Sequence, residues 1–127
     1  MKRAYLPPLL LLAAMLALSL WNSSRITRDT DHWRAQLAQV EALGREQRWP
    51  EALDALESGY QDWQSRQTYL HIVMEHDVLD DAEAMYHRAA AFARAEEPSE
   101  FQAEIEHLRH QLALMAEMER FHIKNVL

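Results

Sequence analysis

The chain has 127 residues, no cysteine, only two glycines and a formal net charge of −7. Without cysteine it cannot form a disulfide, use a thiol nucleophile or build a cysteine-type zinc site. The scarcity of glycine excludes phosphate-binding glycine-rich loops, and the acidic balance argues against nucleic-acid binding, because phosphates require a basic surface.

An uncharged apolar run of 18 residues, 4–21, lies near the start of the chain. As a helix with a rise of about 1.5 Å per residue it is about 27 Å long, which is enough to cross the core of a bilayer. The run ends at Trp21, and tryptophan is enriched at membrane interfaces. We therefore predict a transmembrane anchor over residues 1–23, in which residues 4–21 contact the lipid bilayer.

The residues around this run predict its orientation and leave its processing open. Lys2 and Arg3 precede the run, and positive charge favours the cytoplasmic side of a membrane. We expect a single-pass protein of the bacterial cytoplasmic membrane, with its N-terminus inside and residues 24–127 outside. Ala17 and Ser19 form a small-x-small pair typical of signal-peptidase sites, so removal of the segment stays open as an alternative.

Residues 24–127 are predicted to form one acidic helical domain. All 20 acidic residues and 11 of the 13 basic residues follow the apolar run, which gives this part a formal charge of −9. Alanine, leucine, glutamate, glutamine and arginine dominate the composition and favour helices. We predict an all-α fold, in which the transmembrane helix is followed by an antiparallel bundle or hairpin stack of about four helices.

The first two helices follow from the spacing of apolar residues. A heptad-like stripe, which either pairs with a partner helix or folds back onto its own bundle, consists of Ile26, Trp33, Leu37 and Val40. This helix is expected to end near Ala42, with Gly44 as its C-cap residue. Trp49 and Pro50 are predicted to open helix two, since proline fits the first helical position. Residues 64–68 contain no apolar side chain and predict a break.

Helix three is predicted to be continuous over residues 69–95, because no glycine or proline interrupts it; a bend at Asp77 is the alternative. It carries His76, Asp80 and Glu83 at positions i, i+4 and i+7, on one face. One histidine with two carboxylates suits a divalent metal ion. A metal site at these residues is the alternative to a packing histidine that is hydrogen-bonded to Asp80.

Helix four is predicted to begin at Ser99, because Ser99 and Gln102 have the spacing of a capping box. The apolar stripe of this helix consists of Phe101, Ile105, Leu108, Leu112 and Met115. Met118 and Phe121 lie off that stripe and indicate a second contact.

Aromatic residues and histidines supply the remaining candidates. Trp33, Trp49 and Trp63 are interpreted as core anchors, and a ligand groove lined by them is the alternative. The chain also has seven histidines, which would gain charge on acidification. Motifs such as HExxH or a nucleophile elbow are absent from the sequence, so we predict no enzyme activity, no catalytic residue and no cofactor.

Several segments together resemble a known family. They are the helix around Trp33, the stretch WPEALDALESGYQDW, the stretch TYLHIVMEHDVLDDAE and the closing residues NVL. In these the chain is similar to the bacterial domain-of-unknown-function family 4363 (DUF4363). The resemblance implies a small, N-terminally anchored helical protein with His76 and Asp80 as its polar pair. It also implies a YetF-like small membrane protein as the partner.

Together these features predict a non-catalytic, membrane-anchored interaction or scaffold protein whose domain partners a membrane protein. Homo-oligomerisation stays open. The residues expected to carry the structure and the interaction are Trp33, Trp49, Trp63, His76 and Asp80. The alternative function is a metal- or pH-responsive sensor built on His76, Asp80 and Glu83. That alternative predicts that His76→Ala weakens the binding of a divalent ion.

Overall fold

A computed structural model describes residues 2–67, 70, 72, 74 and 76–126 of the chain. After a short 3-10 turn, Lys2–Tyr5, the main elements are α1 (Leu6–Arg45), α2 (Trp49–Gln64), α3 (His76–Arg94) and α4 (Pro98–Val126). The described residues contain no strand. The all-α prediction, with a long apolar N-terminal helix followed by further helices, is confirmed.

The four helices form an up-down bundle. α1 packs on α2 and on α4, and α3 packs on the same two helices, so that α1 and α3 occupy opposite corners. Between α2 and α3, Tyr60 contacts Glu83, whereas the earlier residue Glu57 contacts the later residue Arg94. Neighbouring helices are therefore antiparallel, which is the arrangement that short connections favour.

The apolar stripes predicted from the sequence form the core of this bundle. In α1 the stripe residues Ile26, Trp33, Leu37 and Val40 are each no more than 2% exposed. The α4 stripe is equally well buried: Phe101, Ile105, Leu108, Leu112 and Met115 are all fully shielded. The heptad-like stripe of α1 thus folds back onto its own bundle and is not available to a partner helix.

The end of α1 differs from the prediction. The helix continues through Gly44 to Arg45, and the residue in the left-handed region is Gln47, with φ 57°. There the Arg48 N–H donates to the Leu43 carbonyl at 3.0 Å, the bond of a Schellman motif. The expectation of Gly44 as the C-cap residue is wrong. Gly44 instead permits close packing, since a Cβ atom there would lie 2.7 Å from Phe101 Cδ1.

The connection between α2 and α3 is confirmed at one end and corrected at the other. Ser65 and Arg66 form a turn, as the polar stretch predicted. The continuous helix over residues 69–95 is wrong, because Met74 lies in a bend and α3 begins at His76. The bend lets Leu70 pack into the core, at 1% exposure, while α3 runs back along α2. The expected start of helix three at Tyr69 lies outside the described residues.

The start of α4 also departs from the prediction. The helix begins at Pro98, so Ser99 lies inside the first turn and does not cap it. Proline is favoured at the first helical position, so the N-cap position is that of Glu97, two residues before Ser99. Gln102 does not complete a capping box, because its side-chain amide donates to the Glu41 carbonyl at 3.2 Å.

Candidate functional site

The first half of α1, residues 6–21, is apolar and exposed, whereas the second half, residues 26–45, buries its inner face. The leucines at positions 9–12 are between 60% and 65% exposed, and Trp21 is still 51% exposed. The first buried side chain among the described residues is Ile26. An 18-residue window of α1 is long and apolar enough to cross a membrane, and none of it is buried. We call these two parts the exposed half and the buried half of α1.

Two contacts mark the point where α1 becomes buried. The guanidinium of Arg25 lies 5.4 Å from the centre of the Trp21 ring, which is a cation–π distance. Next to Trp21, the Asn22 side-chain amide donates to Glu119 Oε1 of α4 at 3.0 Å. This hydrogen bond fixes the C-terminal part of α4 beside the end of the exposed half of α1.

Near this contact α4 carries an exposed apolar surface, which we call the C-terminal patch. It consists of Leu114, Met118 and Phe121, whose exposed fractions are 36%, 41% and 65%. The three side chains line a shallow depression, and Glu117 borders it. The position of Met118 and Phe121 off the buried stripe follows the prediction from their spacing.

The three tryptophans predicted as structural residues lie in the core. Trp33, Trp49 and Trp63 are 2%, 7% and 0% exposed. Trp49 meets Phe101 of α4 edge to face, with ring centroids 5.3 Å apart. Trp63 lies 5.4 Å from the ring of Tyr86 in α3. Such aromatic pairs hold helices together, and their burial leaves no open groove at these rings.

The structure places His76, Asp80 and Glu83 along the first two turns of α3. His76 and Asp80 are exposed, whereas Glu83 is half-buried and faces α2. The Tyr60 hydroxyl donates to Glu83 Oε1 at 2.9 Å, and His87 Nε2 lies 3.9 Å from the same oxygen. Within the described part of the chain, no group of three or more His, Asp or Glu side chains is arranged to hold a metal ion. The sensor alternative stays a prediction.

A polar and aromatic cluster between α2 and α3 surrounds this contact. Burial raises the pKa of Tyr60, and the hydrogen bond to Glu83 raises it further. Burial also raises the pKa of Tyr86, with a smaller contribution from the negative charge of Asp62. The adjoining groove between Tyr60 and His87 has a volume of about 260 Å³. It is smaller than the roughly 300–1,000 Å³ of typical small-molecule sites.

Asp62 also connects α2 to α1. His32 Nε2 lies 3.0 Å from Asp62 Oδ2, and the Gln36 side-chain amide donates to the same oxygen at 3.2 Å. A Cβ atom at Gly59 would lie 3.7 Å from Gln36 Oε1, which is an ordinary van der Waals contact, so the approach of α2 does not require glycine at this position. These contacts position α2 against the buried half of α1.

A buried carboxylate in α1 was missed by the reasoning from sequence. Glu41 is 3% exposed, and its carboxylate accepts hydrogen bonds from Arg45 of α1 and from Arg109 of α4. The Arg109 Nη1–Glu41 Oε2 distance is 2.8 Å. The signal was present in the spacing, because Glu41 follows Leu37 by four residues and so shares its face. The pair joins the two helices that also meet at Asn22 and Glu119.

These features define a class of protein: a four-helix bundle whose first helix extends beyond the bundle as an exposed apolar segment. Every polar cluster described above joins two or more helices. The family described as Domain of unknown function (DUF4363) matches residues 20–126, which covers nearly the whole chain. The chain belongs to this family, as the resemblance predicted. The match begins where the exposed apolar half ends and includes the whole bundle. No curated protein and no solved structure matches the chain.

Proposed function

We propose that this protein is a non-catalytic, membrane-anchored helical interaction protein. Residues 4–21 cross the bacterial cytoplasmic membrane with the N-terminus inside, and the acidic bundle lies outside. The exposed half of α1 contacts a membrane protein within the bilayer. The single observation that carries this proposal is the continuity of α1, in which one helix combines an exposed apolar half with a buried half.

Burial decides which surface is left for a partner. The heptad-like stripe of α1 packs inside the bundle, so it cannot serve a second helix. The exposed half of α1 has the length and apolar character of a spanning segment. Membrane helices associate through such surfaces once they are inserted, and an anchor raises the effective concentration of the domain near its partner.

Charge supports the proposed orientation. Lys2 and Arg3 lie directly before the apolar run, and such residues are retained on the cytoplasmic side. The domain that follows has a formal charge of −9, which argues against adhesion of its surface to anionic lipid headgroups. The anchor therefore carries the attachment, and the negative charge of the bundle does not contribute to it.

Orientation is testable because the chain has no cysteine. His110→Cys in α4 and Lys2→Cys at the N-terminus would each provide a single thiol in the full-length protein. A membrane-impermeant maleimide applied to intact cells should label the cysteine at position 110, and it should label position 2 only after permeabilisation. The opposite pattern would reverse the orientation. Recovery of the protein in a soluble fraction with an intact N-terminus would reject the anchor.

The partner surface is tested by photocrosslinking in cells. A photoreactive amino acid replaces Leu12 in the exposed half of α1 or, as the control, the exposed Glu57 in α2. We expect position 12 to give a discrete adduct with one membrane protein and position 57 to give none of that adduct. An adduct of twice the mass of the chain would identify a second copy as the partner. Only lipid adducts at position 12 would contradict the proposal.

A further inference from the structure

We propose that the C-terminal patch of α4 is a second membrane contact, inserted into the interfacial layer of the bilayer beside the anchor. This inference rests on the proposed membrane anchoring of α1. It assigns an occupant to the apolar surface formed by Leu114, Met118 and Phe121, which the bundle leaves exposed.

The height of the patch follows from the hydrogen bond between Asn22 and Glu119. α4 runs antiparallel to α1, so residues after Glu119 approach the level of the exposed half of α1. Phe121 lies about 3 Å beyond Glu119 along the helix axis, which is the level of Leu20. α4 continues to Val126, about 10 Å beyond Glu119. The end of α4 therefore reaches into the layer that the anchor occupies.

The chemistry of this level fits the patch. Leu20 and Trp21 of α1 are 50% and 51% exposed, so the apolar surface of the anchor extends to the same height as Phe121. The interfacial layer adds about 5–8 Å to each side of the hydrocarbon core. Phe121 and Met118 fall within that thickness, whereas Leu114, about 10 Å further out than Phe121, lies just beyond it. Glu117, on the border of the patch, lies further out than Phe121 and stays among the headgroups and water.

A lipid surface fits this patch better than a second copy of the chain. A stable protein interface buries about 800 Å² on each partner, which is more than three partly exposed side chains can supply. A bilayer interface requires no complementary surface, and the anchor already holds the patch at the right height. The proposal therefore commits to the lipid interface, and a second copy is an outcome that the experiment detects.

The experiment places a nitroxide spin label at a single cysteine in the full-length protein, reconstituted into phosphatidylcholine–phosphatidylglycerol vesicles. Phe121→Cys reports on the patch. His110→Cys is the matched control, because it is exposed on the same face of α4, three turns or about 16 Å further from the anchor. Leu12→Cys reports on the anchor itself. Accessibility to oxygen and to a water-soluble nickel chelate is measured at each position.

We expect the ratio of oxygen to nickel accessibility at position 121 to exceed that at position 110 several-fold and to lie below that at position 12. Equal ratios at positions 121 and 110, with a high ratio at position 12, would overturn the second contact and leave the anchor standing. Low ratios at all three positions would reject the anchor as well. Strong spin–spin broadening at position 121 would show a second copy on the patch and would also overturn the inference.

Discussion

The two halves of α1 share one unbroken backbone and differ in everything that surrounds it. The exposed half carries apolar side chains on all sides, and its leucines at positions 9–12 are about equally exposed. The buried half carries a narrow stripe of apolar residues, with polar residues on the other faces. Its stripe is almost completely shielded by the bundle.

This difference shows that helix formation and tertiary packing have separate causes in this chain. Apolar residues on every face suit a uniform apolar surrounding, whereas a single stripe suits one-sided packing against other helices. Specific polar contacts to other helices, such as those of Glu41 and Gln36, lie in the buried half. Within α1, the stability of the bundle should therefore depend on the buried half and not on the exposed half.

The largest contrast is expected between two tryptophans of α1. Trp33 is 2% exposed in the buried half, and Trp21 is 51% exposed at the end of the other half. Trp33→Ala should lower the free energy of unfolding by about 3–5 kcal/mol, because it opens a large cavity. Trp21→Ala should leave it unchanged. Urea unfolding of the full-length protein in mild detergent, followed by circular dichroism, measures both. Similar losses for the two variants would contradict the division of α1.

The buried carboxylate gives the next largest effect. Arg109→Leu removes one partner of Glu41 and should lower the free energy of unfolding by about 2–4 kcal/mol, since a buried charge is left poorly paired. Arg45→Leu is the control, because the Arg45 side chain is 67% exposed, and it should cost less than about 1 kcal/mol. Adding Glu41→Leu to Arg109→Leu should recover part of the loss. Equal losses for the two arginine variants would show that Arg109 has no special role.

Close packing at Gly44 gives an intermediate effect. Gly44→Ala improves helix propensity, yet the new Cβ atom would collide with the buried ring of Phe101. We expect a net loss of about 1–3 kcal/mol from overpacking. In a Phe101→Leu background the same substitution should cost less, because the ring is gone. An increase in stability from Gly44→Ala alone would show that the ring moves freely.

The aromatic cluster predicts sensitivity to alkali. Burial raises the pKa of Tyr86, and the negative charge of Asp62 raises it further. Asp62 also contacts His32 and Gln36 of α1. The folded state then keeps the phenol proton that the unfolded chain loses above its pKa of about 10. The contribution of the protonated Tyr86 to the free energy of unfolding is fully present below that pH. As the pH rises further, this contribution is lost by up to about 1.4 kcal/mol per pH unit.

Tyr86→Phe tests this linkage. Between pH 10 and 11 the Tyr86→Phe variant should lose much less stability than the unmodified protein, as measured by urea unfolding at each pH. Near pH 8 it should be close to neutral, because the Tyr86 hydroxyl has no hydrogen-bond partner among the described residues. Tyr60→Phe is the comparison, since Tyr60 is only half-buried. Identical alkaline profiles for the Tyr86 variant and the unmodified protein would contradict the assignment.

The smallest effect is expected at the end of the buried half. Gln47 holds φ at 57°, where glycine has no steric penalty. Gln47→Gly should raise the free energy of unfolding by about 1 kcal/mol. Glu46→Gly is the matched control, because Glu46 has φ −79° and gains nothing from glycine. A stabilisation of both variants by the same amount would show that backbone strain at Gln47 is not the cause.

Much of the fold was predictable because burial repeats with the period of the helix. The spacing of Trp33, Leu37 and Val40 identified the core face of α1 correctly. Helix ends were less predictable, because glycine has two roles that look alike in a sequence. Glycine is typical of helix C-caps, so the sequence suggests that role for Gly44. Its actual role is close packing against Phe101, which lies 57 residues later in the chain.

The candidate site divides in the same way. The exposed apolar half was evident from composition, since a run of 18 uncharged residues is distinctive. The residue of α4 that lies beside Asn22 could not be predicted from the sequence, because it depends on how α1 and α4 pack along their whole length. Glu41 was missed for a related reason: a carboxylate on a core face is recognised only once Arg109 is known to meet it.

The absence of a joint in α1 has a mechanical consequence in the proposed arrangement. The helix runs about 36 Å from Trp21 to Arg45 without a proline or a turn. Transmembrane helices lean by about 20° on average, and such a lean would swing the distal turn of the bundle sideways by about 12 Å. A small change in the tilt of the transmembrane segment therefore produces a large displacement of the bundle. A partner protein that changes this tilt would also change the orientation of the acidic bundle.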